Sequence, residues 1–232
     1  MRKRTHAGET VTATVLAYIS GFVDTLSFIA LFGLFASHVT GNFVLIATSI
    51  AEEHRGLWIK LLAVPVFIIA AILTRLYIIR RHHHQRDAAT HVLMGQAVLL
   101  SIFMIIAKMN SPLVDHNSAA AIATGLIAAA AMAIQNTAAR TFLSHLPPTT
   151  VMTGNMMQII VDAVDIMHGQ GDVSAQRKRI ARLVPLMIGF ILGTLSGGAG
   201  YIFFGFTALI VPAVSVAVLA LLVHPSHHPV QT

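Results

Sequence analysis

The sequence predicts an all-α integral membrane protein: six transmembrane helices plus two short re-entrant or broken helices, built as two inverted three-crossing repeats. Three observations carry that expectation. The 232 residues are 56% hydrophobic and only 10% charged, with a mean hydropathy of +0.76, well beyond what a soluble domain of this size needs for its core. Apolar runs recur at the length a bilayer demands, about 20 residues for a crossing helix. The triplet Thr-Gly-Asn occurs twice, as Thr40-Gly41-Asn42 and Thr153-Gly154-Asn155, each at the start of a shorter apolar stretch.

The first predicted helix covers about 11–34 and carries Asp24 near its middle. Arg2, Lys3 and Arg4 precede it like the basic start of a signal peptide, but the apolar run is too long and lacks a small-residue cleavage site, so the helix is expected to be retained. The segment 40–51 with the first triplet is shorter, and its length alone leaves open whether it crosses. Helices at about 59–79 and 91–109 complete a first repeat, residues 1–110, with Trp58 as an interfacial anchor. The second repeat, residues 111–232, runs through helices at about 119–139, 183–204 and 206–223, with the second triplet opening a short segment at 153–167. Pro65 of the first half has a counterpart in Pro185, and Gly21-Phe-Val-Asp24-Thr25 falls near Ala133-Ile-Gln135-Asn136-Thr137 after a one-residue gap.

Charge decides the topology, because basic residues of short loops collect on the cytoplasmic side. The clusters are Arg2-Lys3-Arg4, Arg80-Arg81 with Arg86, and Arg177-Lys178-Arg179 with Arg182. All three share a face only if neither triplet segment crosses. Both termini are then cytoplasmic, and the loop with Asp115 and His116 and the turn near Gly205 face outward. Each half makes an odd number of crossings, so the second enters from the opposite side, as in many transporters. The net charge of +6 reads as this topological signal, and no nucleic-acid partner is expected.

The triplet has a chemical reading. Thr can cap a helix N-terminus, Gly allows a sharp turn or close approach, and Asn offers both donor and acceptor. Two helix N-termini facing each other would form a polar focus suited to an anion or a hydrogen-bonding solute; the plainer alternative is that the triplets only cap and pack two broken helices. Asp24 is the least dispensable polar residue at membrane depth. Gln135 and Asn136 occupy the comparable helix, with Arg140 one turn on, so an Asp24–Arg140 pair across the halves is conceivable. His38 would sit at the mouth of the first segment, able to gate. Asp162 and Asp165 are expected to be exposed. Met152, Met156 and Met157 read as packing around a broken helix, and Gly189, Gly193 and Gly197 form a close-approach face, either intramolecular or between copies in a homo-oligomer.

The runs Gly21-Phe-Val-Asp24-Thr25, Ser37-His38-Val39-Thr40-Gly41-Asn42, Ala133-Ile-Gln135-Asn136-Thr137-Ala-Ala-Arg140 and Thr150-Val-Met-Thr153-Gly154-Asn155 together resemble the YoaK-like family of bacterial inner-membrane proteins. The resemblance covers nearly the whole chain. It implies a multi-spanning inner-membrane protein of uncharacterised function, with no known substrate, cofactor or catalytic residue to transfer.

Other chemistries find little purchase. The chain contains no cysteine, so disulfide, haem-thiolate and Cys-zinc sites are excluded. His82-His83-His84 and His224, His227 and His228 could ligate a metal, but adjacent histidines in basic loops lack the fixed spacing a metal site wants; no metal or other cofactor is expected. No zinc-protease, nucleophile-elbow or phosphate-loop motif is present, and Ser196 has no histidine committed to it by spacing. No enzyme activity is expected. The expected function is a secondary transporter or channel for a small polar or anionic solute, bound between the triplet segments by Thr40, Gly41, Asn42, Thr153, Gly154 and Asn155, with Asp24, Gln135, Asn136 and Arg140 lining the path and His38 gating it. The alternative is a non-transporting scaffold or sensor whose polar residues lock the bundle.

Overall fold

A computed structural model of the chain describes residues 6–51, 55–83, 88–144 and 146–222. Helices are the regular structure of those residues: α1 (His6–Ala30), α2 (Val39–Ala51), α3 (Leu57–His83), α4 (Ala89–Met109), α5 (Ala119–Phe142), α6 (Met152–Met167), α7 (Val173–Phe204) and α8 (Ile210–Leu222), the last reached through a 3-10 turn at Gly205–Leu209. Five stretches of the described residues are long and apolar enough to cross a membrane, counting Val173–Leu222 as one. Gly205, with φ +58, breaks that stretch.

Local chemistry explains the boundaries. α1 stops at Ala30 rather than near residue 34 because Phe32 and Gly33 adopt positive φ and the Ser27 hydroxyl donates to the Leu34 carbonyl at 3.0 Å, folding the chain back. α7 begins ten residues before its apolar run: the Asp172 carboxylate caps it, accepting from the Ser174 and Ala175 N–H groups at 2.9 and 3.1 Å. A hydropathy criterion misses that polar first turn, which holds the Arg177–Arg182 cluster in a helix. Ser118 caps α5 in the same manner.

The largest helix interface joins α1 to α7, and α3 packs on α5, α4 on both α5 and α8, α2 on α3 and α6 on α7. The glycine face of α7 is consumed inside the molecule. A Cβ on Gly189, Gly193 or Gly197 would meet the backbone carbonyl of Thr14, Tyr18 or Phe22 respectively, and one on Gly21 would meet that of Phe190. Only bare backbone lets the two helices lie so close. Outward-facing side chains are apolar along α3 (Ile68, Ile69, Leu73) and α7 (Ile188, Ile191, Leu192, Leu195), the distribution expected of helices that face hydrocarbon.

Candidate functional site

Each long helix that precedes a short one carries a polar side chain six residues before its end, about 9 Å of helical rise. These are Asp24 in α1 and Asn136 in α5. In the first half, residues 31–38 turn back along α1 until the Asp24 carboxylate accepts the Ser37 N–H at 2.6 Å and the His38 N–H at 3.2 Å, with His38 Nδ1 also on Asp24. In the second half, residues 146–151 turn back along α5 until the Thr150 hydroxyl donates to Asn136 Oδ1 at 2.6 Å. The separation is 14 residues in both cases.

The triplet asparagines then lock the loops. Asn42 Nδ2 donates to the Phe35 carbonyl and Asn155 Nδ2 to the Pro148 carbonyl, each at 2.8 Å and each seven residues back. Asn42 also accepts the Phe35 N–H. Both are buried, so their amides satisfy backbone rather than offering hydrogen bonds to a solute as the sequence suggested. Gly41 lies under the Phe35 ring and Gly154 beside Val151. Met152 is buried at the start of α6, and Met156 and Met157 are exposed.

Further along the short helices the match continues. Seven residues after Asn42, Ser49 accepts from the buried Lys60 Nζ at 2.7 Å; seven after Asn155, Asp162 accepts from Arg179 Nε at 2.7 Å. Fourteen after each asparagine stand Gly56 and Gly169, both with φ +66. Asp162 is therefore buried against a guanidinium, where exposure was expected: α7's early start carries Arg179 alongside α6. The hydrogen bond from Arg179 holds the Asp162 carboxyl below its ordinary value, with burial opposing and Gln158 assisting.

Between the halves lies a cleft of about 1260 Å³. His38, Val39 and Thr40 from the start of α2 reach it, as do Thr150 and Val151 from the start of α6, so the N-terminal ends of both short helices open onto it. Its long walls are the middle of α3 (Phe67, Ala71, Ile72, Arg75, Leu76) and the C-terminal half of α5 (Asn136, Thr137, Arg140, Thr141). An adjoining hollow of about 210 Å³ shares Asn136, Arg140 and Thr150.

Of the residues expected to form the site, His38, Thr40, Asn136 and Arg140 line this cleft. Asp24 stands behind it, buried, holding the loop that carries His38. The conceivable Asp24–Arg140 pair does not form: His38, brought back by the turn at Phe32 and Gly33, takes the carboxylate. Gln135 faces the opposite side of α5, accepting from Gln96 Nε2 at 2.7 Å and donating to the Leu16 carbonyl at 2.8 Å. It ties α4, α5 and α1 together. Thr153 is not among the cleft-lining residues. Arg75, by contrast, is a cleft residue that hydropathy conceals as one charge within an apolar run; its signal was an arginine at membrane depth. No group of three potential metal-ligating His, Asp or Glu side chains occurs among the described residues; His84, His224, His227 and His228, like Arg2, Lys3, Arg4 and Arg86, lie outside them.

Apolar helices of crossing length and two short segments meeting at one cleft define a helical membrane protein. The chain belongs to the family described as "Protein of unknown function (DUF1275)", which matches residues 12–222. The YoaK-like proteins that its motifs resemble fall in that family. No curated protein and no solved structure matches the chain.

Proposed function

We propose that the protein is a secondary transporter or channel of the bacterial inner membrane, carrying a small polar or anionic solute through the cleft between α3 and α5. The single observation that supports this most strongly is that the N-terminal ends of α2 and α6 open onto one cavity, where the positive ends of their dipoles favour negative charge. In this reading the two halves are inverted-topology repeats and both termini are cytoplasmic. Three contacts of one half then have a partner in the other: α1 on α7 answers α3 on α5, α2 on α3 answers α6 on α7, and α4 on α5 answers α8 on α1. The glycine-lined α1–α7 seam is the closed side and the α3–α5 cleft the open one, and alternating access exchanges them. The cleft-lining residues of α3 run from Phe67 to Leu76, toward the end carrying Arg80 and Arg81, the cytoplasmic side by the charge rule. In this reading the activity is transport rather than catalysis, and the Ser196 hydroxyl, 2.9 Å from that of Tyr18 and near the Leu192 carbonyl, serves packing.

The internal bonding of Asn42, Asn155 and Gln135 favours a second reading, a scaffold or sensor whose polar residues only lock the bundle. Flux across proteoliposomes, measured over a panel of small organic anions and neutral polar solutes, separates the two. Transport is expected for at least one solute, with Asp24→Asn and Asn42→Ala each reducing it at least about tenfold, since each frees the loop that forms one wall. No flux of any solute, with both variants merely less heat-stable, supports the scaffold.

A further inference from the structure

The two long walls of the cleft differ. On α5, Asn136, Thr137, Arg140 and Thr141 follow one another at helical spacing and lay a polar stripe along it, continued by Ser144 just past its end. Facing them, α3 contributes Phe67, Ala71, Ile72 and Leu76, interrupted only by Arg75. A guanidinium in such an apolar setting is expensive unless water or a partner meets it. Neither Arg75 nor Arg140 has a hydrogen-bond or ion-pair partner among the described residues. Among the described residues no Asp or Glu lines the cavity, and the Asp24 carboxylate behind it is engaged by Ser37 and His38. The cleft thus carries two uncompensated guanidiniums on separate walls, a row of hydroxyls and amides on one side and a greasy surface on the other. Its volume, about 1260 Å³, far exceeds what a bare inorganic ion fills and suits a small organic molecule.

We propose that the cleft binds a small organic anion, a carboxylate or phosphate ester bearing an apolar group, with Arg75 and Arg140 holding the charged end and Phe67, Ile72 and Leu76 receiving the apolar part. The proposal rests on the cleft being a solute site and names its substrate class. Guanidiniums suit this role because their planar forks match carboxylate and phosphate oxygens. Arg75 is the residue that sets the charge preference, since the rest of its wall is apolar.

The test is titration calorimetry on the full chain in neutral detergent, with benzoate and phenyl phosphate as anionic probes, benzamide and benzylamine as neutral and cationic counterparts, and inorganic phosphate. At least one anionic aromatic probe is expected to bind more than about tenfold tighter than benzamide and benzylamine. Arg75→Ala and Arg140→Ala should each weaken it roughly tenfold, the scale of one charged hydrogen bond, and Arg75→Lys should recover part of the loss. A thermal midpoint close to wild type without probe establishes that each variant is folded. Absence of saturable binding by both aromatic anions overturns the proposal, as does benzamide binding equally well or indifference to both alanine substitutions. Inorganic phosphate binding as tightly as phenyl phosphate removes the apolar half. The same chemistry is offered by an anionic lipid: in nanodiscs, loss of probe binding when phosphatidylglycerol is included assigns the occupant to the bilayer, and unchanged binding assigns it to water. Binding is read without a gradient, so a failed flux assay leaves this result standing, and a failed titration leaves transport of another solute class open to the flux panel.

Discussion

Gly193→Leu is expected to destabilise the protein by more than about 3 kcal/mol, above the usual range for adding volume to a packed core. A Cβ at this position would overlap the Tyr18 carbonyl and lie 2.8 Å from its carbon. The obstacle is main chain, so no rotamer change relieves it and α1 and α7 must separate along their shared seam. That seam is the largest helix interface in the fold. Gly95→Ala provides the control, because nothing lies within 4 Å of the added atom and α4 loses only the backbone freedom of glycine; it should be neutral or stabilising by up to about 1 kcal/mol. Thermal or denaturant unfolding in detergent reads both. A Gly193→Leu protein as stable as the wild type would mean that α1 and α7 do not meet at this point.

Asp24→Ala should cost about 3–5 kcal/mol, the range for removing one member of a buried, hydrogen-bonded pair. The carboxylate gathers two backbone N–H groups and the His38 ring, and without it the buried Ser37 N–H loses its acceptor. His38→Ala is the informative comparison. It removes the ring but leaves both backbone bonds to Asp24 in place, so its loss should be the smaller of the two. Equal losses from the two substitutions, again by unfolding in detergent, would shift the importance of this contact from the loop backbone to the imidazole.

The class of fold was legible because bilayer physics writes it into composition and run length: the stretches about 59–79, 91–109 and 119–139 each lie within an observed helix. The short elements were legible for the same reason, α2 and α6 being much shorter than the helices that flank them. Boundaries set by polar chemistry were harder to see. The back-turn at Phe32 and Gly33 sits inside an apolar run, and the polar first turn of α7 is helical because of Asp172 and not because of hydropathy. Within the site, the triplets marked the right place, but their asparagines satisfy loop carbonyls, a demand that only tertiary geometry creates. Ser49 with Lys60 and Asp162 with Arg179 were recoverable in principle, since Ser49 and Asp162, and then Gly56 and Gly169, keep the same register after the two triplets. Arg75 went unremarked because a single charge barely lowers the hydropathy of so apolar a helix.

The central claim is that the starts of both short helices face water in one cleft, and the absence of cysteine from the chain allows it to be tested directly. Single cysteines at Thr40 and at Thr150, which line the cleft, and at Val44, on the outer face of α2, can be challenged with a membrane-impermeant thiol reagent in sealed vesicles of known orientation. Labelling of the Thr40→Cys and Thr150→Cys proteins is predicted from the face that carries Arg80 and Arg81, with Val44→Cys protected by lipid. If neither cleft position reacts, or if the two react only from opposite faces, the shared aqueous cleft does not exist.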